Sequence, residues 1–136
     1  MPSLRKYNIM ISHSWDYHSQ YLTISGWLSS APYFDWSDYS VPITRPLNVT
    51  GVNELKKKIR DRISVCSCVI VLSGMYVAYS DWIDYEIDTA KALGKPIIGV
   101  KPWGQERIPV KVQTTADVLV GWNSASIVNA VRNYTL

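Results

Sequence analysis

The run Val65-Cys66-Ser67-Cys68-Val69-Ile70-Val71-Leu72 is nearly all apolar and rich in β-branched residues, and Ser73-Gly74 closes it. A strand that is apolar on both of its alternating faces has to be covered on both, which is the pattern of a central strand in a parallel sheet. Parallel neighbours cannot be joined by tight hairpins, so the chain must leave the sheet and return through crossovers, usually helical. That requirement organises the reading of everything on either side.

Upstream, Tyr7-Asn8-Ile9-Met10-Ile11-Ser12 reads as a short buried strand. Asp16 can cap a helix whose apolar positions include Tyr21, Ile24, Trp27 and Leu28. Tyr33-Phe34-Asp35 suggests a second strand, followed by an aperiodic loop from Trp36 to Gly51 with Pro42 and Pro46. Long loops of this kind often carry function. Val52, Leu55, Ile59 and Ile63 step by three or four and mark one helix face leading into the Val65 run. Downstream, Ser80 can cap a helix with Asp81 and Asp84 near its positive end and Ile83, Ile87 and Ala90 facing the core. Gly94 ends that helix and Pro96 prevents its return. Lys95 to Val100 makes a fourth strand, Lys101 to Val112 a loop, and Val118-Leu119-Val120 a last strand. Asn123 or Ser124 caps a final helix with Ile127, Val128 and Val131 inside.

Strands and helices thus alternate through one domain of 136 residues, an α/β class with a five-stranded parallel sheet and helices on both faces. No stretch approaches the apolar length of a membrane span, and Met-Pro-Ser-Leu-Arg-Lys-Tyr lacks the core of a signal peptide, so a cytoplasmic protein is expected. A net charge of +3 is too small to argue for nucleic acid. The basic cluster Lys56-Lys57-Lys58 with Arg60 and Arg62 reads as the wet face of a helix. Cys66 and Cys68, with no second pair to complete a zinc site, read as small buried hydrophobes in the strand.

Ligands of such sheets bind beyond the carboxyl ends of the strands. The chemistries common to the fold are missing there. The turn after the first strand, Ser12-His13-Ser14-Trp15-Asp16, has no glycine, so neither a dinucleotide fingerprint nor a phosphate loop is present. No G-x-S-x-G elbow supports a hydrolytic triad. No metal site suggests itself. What remains is one carboxylate. Of three Glu, at 54, 86 and 106, Glu86 lies four residues after Trp82, on the same helical face and near the ligand edge. The competing reading has Trp82 in the core and Glu86 as a solvated helix residue.

The aromatics are skewed, with nine Tyr and six Trp against one Phe. Tyr and Trp add a hydrogen-bonding tip to an apolar body, which suits a ligand surface or an interface, although packing at sheet edges uses them too. Trp15, Trp36, Tyr39, Trp82, Trp103 and Trp122 fall at or just beyond expected carboxyl ends of strands. Tyr21, Trp27 and Tyr33 read as packing residues.

From Tyr7 to about Arg132 the order of these pieces resembles the TIR domain family. The likeness rests on the first strand ending in Ile11-Ser12, on the helix Leu55 to Ile63 feeding Ser64 to Ser73, and above all on Tyr79-Ser80-Asp81-Trp82-Ile83-Asp84-Tyr85-Glu86. TIR domains commonly carry Ser-x-Trp-Cys-x-x-Glu at that place, with the Glu catalytic in enzymatic members. Glu86 falls on it; Ile83 replaces the usual Cys and His13 the common aromatic. The segments Ile11 to Asp16, Phe34 to Ser40 and Lys101 to Arg107 look closer to a bacterial branch that includes the sensors of the Thoeris antiphage system.

The resemblance implies a single three-layer, flavodoxin-like TIR domain over residues 1–136. It implies an enzyme that cleaves the nicotinamide glycosidic bond of NAD, as substrate rather than cofactor, and cyclises the ADP-ribose into a messenger for a separate effector protein, with homo-oligomers in the repertoire. Glu86 would then be the catalytic residue. Ser12, His13 and Ser14 would line the phosphate or ribose side, Trp82 would support Glu86, and Trp36, Asp38 and Tyr39 would cover the site. Two alternatives stay open: a TIR scaffold acting only through homotypic contacts, with Glu86 on the surface, and an NAD hydrolase acting by depletion.

Overall fold

The computed structural model describes residues 6–12, 18–40, 52–72, 76–101 and 110–135. Their elements alternate strictly: β1 (Lys6–Ser12), α1 (His18–Ser30), β2 (Asp35–Asp38), α2 (Val52–Ser64), β3 (Cys68–Leu72), α3 (Tyr76–Ala92), β4 (Ile97–Val100), α4 (Val110–Thr115), β5 (Val118–Val120) and α5 (Ser124–Tyr134). The five strands form one parallel sheet in the order β2-β1-β3-β4-β5. The sheet grows in both directions from the β1–β3 pair, in which Ser12 lies opposite Val71. That pair is the topological switch point, where α/β sheets open a crevice at the carboxyl edge.

Burial follows the apolar pattern. Every residue of β3 and β4 is buried, so both sheet faces are covered at the centre. The helices fall into two sets, α1 packed on α5, and α3 packed on α2 and α4. Ile24 and Leu28, Ile59 and Ile63, Ile83, Ile87 and Ala90, and Ile127 and Val131 supply their inner faces, as the sequence spacing predicts.

Two helix ends are built by local chemistry. Gly94 adopts φ +70° just past α3, and the Lys95 N–H reaches back to the Ala90 carbonyl at 2.9 Å, closing the helix with a left-handed turn that glycine adopts without strain. Asn123 caps α5 by accepting the Ser126 N–H at 2.8 Å.

Four sequence expectations need correction. The second strand is Asp35–Asp38 rather than Tyr33 to Asp35, so Trp36 lies within a strand and not in the loop. Helix α3 begins at Tyr76, which makes Ser80 an interior position rather than a cap. The third strand starts at Cys68; Cys66 precedes it, buried, with its thiol donating to the Arg62 carbonyl at 3.0 Å. Desolvation pushes that thiol up to about 12, so it is inert at neutral pH. A short helix, α4, ends the segment read as a loop. The expected Asp16 cap lies outside the described residues.

The α4–β5 corner closes tightly over β4. A Cβ on Gly99 would stand 2.6 Å from Leu119 Cδ2 and 3.0 Å from Val112 Cγ1. Gly99→Ala is therefore expected to lower the unfolding free energy by about 1–3 kcal/mol through overpacking. Chemical denaturation checks it, and an unchanged midpoint would show that both side chains yield freely.

Candidate active site

The carboxyl edge at the switch point brings together two of the three buried polar side chains among the described residues, the third being Thr89. Ser12, the last residue of β1, is 1% exposed, and Glu86, in the middle of α3, is 2% exposed. Glu86 is carried inward by its helix spacing. It follows Trp82 by one turn and precedes Ile87 and Ala90, all buried, so the inward stripe of α3 passes through it. Trp82 is a core residue, packed edge-on against Tyr85 with ring centroids 6.4 Å apart. Tyr85 in turn donates from its hydroxyl to the Lys56 carbonyl at 3.0 Å, which ties α3 to α2 one residue away from Glu86.

Neither Glu86 Oε1 nor Ser12 Oγ completes a hydrogen bond with the described residues. Buried polar atoms are nearly always paired, so two orphans side by side mark a place built for something else. Burial pushes the Glu86 carboxyl up from its ordinary 4.5 to about 8. The Ser12 hydroxyl pulls the other way: it is close enough to favour the ionised form without reaching hydrogen-bond geometry. A carboxyl of shifted acidity at the ligand edge of an α/β sheet has the marks of a reactive group. The reading of Glu86 as a solvated surface residue is overturned by its burial.

Other expected site residues are placed elsewhere or engaged. Trp36 pairs in register with Tyr7, near the amino end of β1 and far along the strand from Ser12, and its indole donates to Ser29 Oγ of α1 at 3.1 Å. It packs the opposite end of the sheet and does not cover the Glu86 edge. Asp38 has both carboxylate oxygens occupied, one by the Tyr21 hydroxyl and the other by the Ser40 N–H at 2.8 Å. Ser40 Oγ accepts the Ile11 N–H at 2.9 Å, and the Tyr39 N–H reaches the Ile9 carbonyl at 2.9 Å. Asp38 thus buckles the exit of β2 onto β1. Tyr39 lies half-buried beneath the Arg62 guanidinium, 5.4 Å from the ring centroid. Burial and the Asp38 carboxylate push the Tyr21 hydroxyl up to about 12, so it remains a proton donor to that carboxylate.

His13 and Ser14 lie outside the described residues, as do Trp15 and Trp103. Trp122 packs edge-on to Trp27 of α1, centroids 5.2 Å apart, so it serves the α1–α5 layer. Tyr33 is no packing residue: it is 82% exposed, at φ 56° in the turn before β2. The expected ring of aromatics about one site is therefore reduced, among the described residues, to Trp82 beneath Glu86. Sequence reasoning missed Tyr85, Tyr21 and Ser40, whose parts depend on partners 17 to 29 residues away.

Among the described residues no three His, Cys, Asp or Glu side chains cluster to hold a metal ion. No helix among them is long and apolar enough to cross a membrane.

A parallel α/β domain with a buried carboxyl at its switch point is an arrangement shared by many ligand-binding and catalytic proteins, and comparison narrows it. Residues 10–107 match the family described as the Thoeris protein ThsB, TIR-like domain. The chain belongs to that family. Among solved structures it is similar to the Clostridium botulinum CMP N-glycosidase BcmB, at 16% identity and TM-score 0.59 over 92% of this chain and 98% of that one. It is also similar to a 3-dehydroquinate dehydratase-like protein from Bifidobacterium longum, at 10% identity and TM-score 0.51 over 95% and 94% of the two chains. No curated protein matches the sequence.

The raised acidity constant has a signed consequence for stability. Between about 4.5 and 8 the folded chain holds a proton on Glu86 that the unfolded chain releases. That contribution is fully present below the lower value and is lost as pH rises through the upper one. Wild type is expected to lose stability from pH 5 to 8.5 relative to Glu86→Gln, whose own profile lacks this slope and which melts higher at pH 8.5. Thermal melts at matched ionic strength check it; parallel profiles would refute it.

Proposed function

We propose that this chain breaks the bond between nicotinamide and ribose in NAD, with Glu86 as the catalytic residue, and closes the remaining ADP-ribose into a cyclic isomer that activates a separate effector. The observation that carries the proposal is the enclosed Glu86 carboxyl, with an open hydrogen-bonding position at Oε1 beside Ser12. Membership of the Thoeris ThsB TIR-like family supports NAD as substrate and an effector as partner. The likeness to a CMP N-glycosidase adds that this fold can house glycosidic cleavage.

The chemistry needs only one carboxyl. Glycosidases normally use two, because the leaving oxygen must be protonated. Nicotinamide in NAD is a positively charged substituent and departs neutral, without a proton. The task left is to hold the ribose and to offset the positive charge that develops at C1. An ionised Glu86 does both, accepting hydrogen bonds from ribose hydroxyls at Oε1 and facing the oxocarbenium-like centre in a water-poor setting. Ser12 gains a partner for its hydroxyl in the same step. An atom of the same ADP-ribose then attacks C1 to give the cyclic product, while water would give linear ADP-ribose. The burial of Glu86 and Ser12 favours the first. His13 and Ser14, next along the chain, are assigned to the ribose or phosphate side of the ligand.

The test is incubation of the purified chain with NAD, with nicotinamide and the ADP-ribose products separated by chromatography. Wild type is expected to release nicotinamide and form a cyclic isomer, with kcat/KM rising about tenfold per pH unit below about 8 as Glu86 ionises, then levelling. Glu86→Gln is expected to be slower by a factor on the order of 10²–10³. Equal rates in the two proteins would remove Glu86 from the chemistry.

A further inference from the structure

The enclosure of Glu86 fixes what it can hand to a substrate as well as what it can stabilise. Four cations on α3 and the elements packed around it are turned to other partners, while Lys57, Lys58 and Arg60 of α2 and Lys101 after β4 are exposed. Lys56 of α2 stands over the Tyr85 ring at 5.4 Å, and Arg62 of α2 stands over Tyr39. Lys111 of α4 pairs with Asp88 at 2.7 Å, and Lys91 at the end of α3 lies 3.6 Å from Asp117. On α3 itself the nearest titratable neighbours are Asp84, a further negative charge, and Tyr85, whose hydroxyl donates to α2. Among the described residues β1 offers the Ser12 hydroxyl. With no counter-charge shown beside it among the described residues, burial favours the neutral carboxyl in the free protein. A neutral carboxyl, unlike a carboxylate, is a proton donor.

We infer that the Glu86 site has a second activity, hydrolysis of N-ribosides whose base must take up a proton to leave, such as nucleosides and nucleoside monophosphates, with the protonated Glu86 carboxyl as general acid. The inference rests on the reading of Glu86 as the group that acts on a glycosidic bond. The C1′–N bond breaks and its electron pair stays with the base, while the Glu86 proton passes to the base. The carboxylate so formed faces the oxocarbenium-like ribose. Water then adds to C1′ and returns a proton to Glu86, leaving free base and ribose, or ribose 5-phosphate from a monophosphate. No co-reactant besides water is needed. NAD uses the other state of the same residue, because nicotinamide leaves without a proton. One carboxyl would thus serve two kinds of leaving group in two protonation states, with opposite dependence on pH.

The experiment offers CMP, AMP, cytidine and, in parallel, NAD to wild type, Glu86→Gln and Ser12→Ala from pH 5 to 9, and measures free base and nicotinamide by chromatography. Wild type is expected to release cytosine or adenine at a rate that is level in acid and falls about tenfold per unit above pH 8, while nicotinamide release rises toward pH 8 and then levels. Glu86→Gln, checked for an intact melting transition, is expected to lose both by a factor of about 100 or more. Ser12→Ala removes the hydroxyl that favours the ionised carboxyl, so both profiles are expected to move to higher pH, a displacement that a merely structural serine would not cause. No free base from CMP, AMP or cytidine at any pH overturns the second activity, whatever happens to NAD. Base release that survives Glu86→Gln, or that rises with pH, overturns it as well. Base release with intact NAD overturns the NAD reading instead, so the two fail separately.

Discussion

The molecule depends on the complete desolvation of its central parallel strands. Because no residue of β3 or β4 reaches water, helices must lie against both faces of the sheet, and the apolar stripes of α1, α2, α3 and α5 are the complement of that demand. The same demand sets the chemistry. The inward stripe of α3 crosses the end of the sheet where β1 and β3 part, and the residue it carries there is a glutamate. Among the described residues, none completes a hydrogen bond to Oε1 of that carboxyl. Its acidity, its unfilled hydrogen-bonding position and its cost to folding all come from one geometric fact. A hydrogen-bond donor at Oε1 is what such a group lacks among the described residues.

Much of the architecture was legible in the sequence wherever burial imposes a period. Ile59 and Ile63, Ile83 and Ile87, and Ile127 and Val131 repeat at helical spacing because each helix has a single covered stripe, and the unbroken apolar run of β3 announces a strand covered on both faces. Gly94 and Asn123 were legible for a different reason: a left-handed turn and a cap need particular residues. The edge strand β2 was not. Asp35-Trp36-Ser37-Asp38 has neither an apolar run nor clean alternation, and backbone pairing with β1 alone makes it a strand. The six residues of α4 are too few to show a period.

At the site, spacing identified Glu86 but left its burial undecided. Whether the inward stripe of a helix still lies over the sheet in its middle turns depends on where the neighbouring strands end. Asp38 illustrates the opposite failure. An acidic residue at the end of an edge strand looks available for a ligand. Its two oxygens are taken by Tyr21, 17 residues earlier, and by Ser40, and no local pattern encodes that. Its contribution is to fix the exit of β2 against the strand that carries Ser12.

The turn before β2 is held in a way that bears on how the chain is made. Arg132, in the last turn of α5, donates to the carbonyls of Pro32 and Tyr33 at 2.9 and 3.3 Å and stands over the Phe34 ring, across 100 residues of sequence. A contact so distant along the chain cannot form until the hundred residues between its partners have been synthesised. The α1–β2 corner, synthesised before α5, therefore acquires its lock only when α5 emerges. Until then the edge strand has only its pairing with β1 and its neighbours in α1 to hold it. The order of synthesis leaves this edge strand waiting for part of its support until α5 is made.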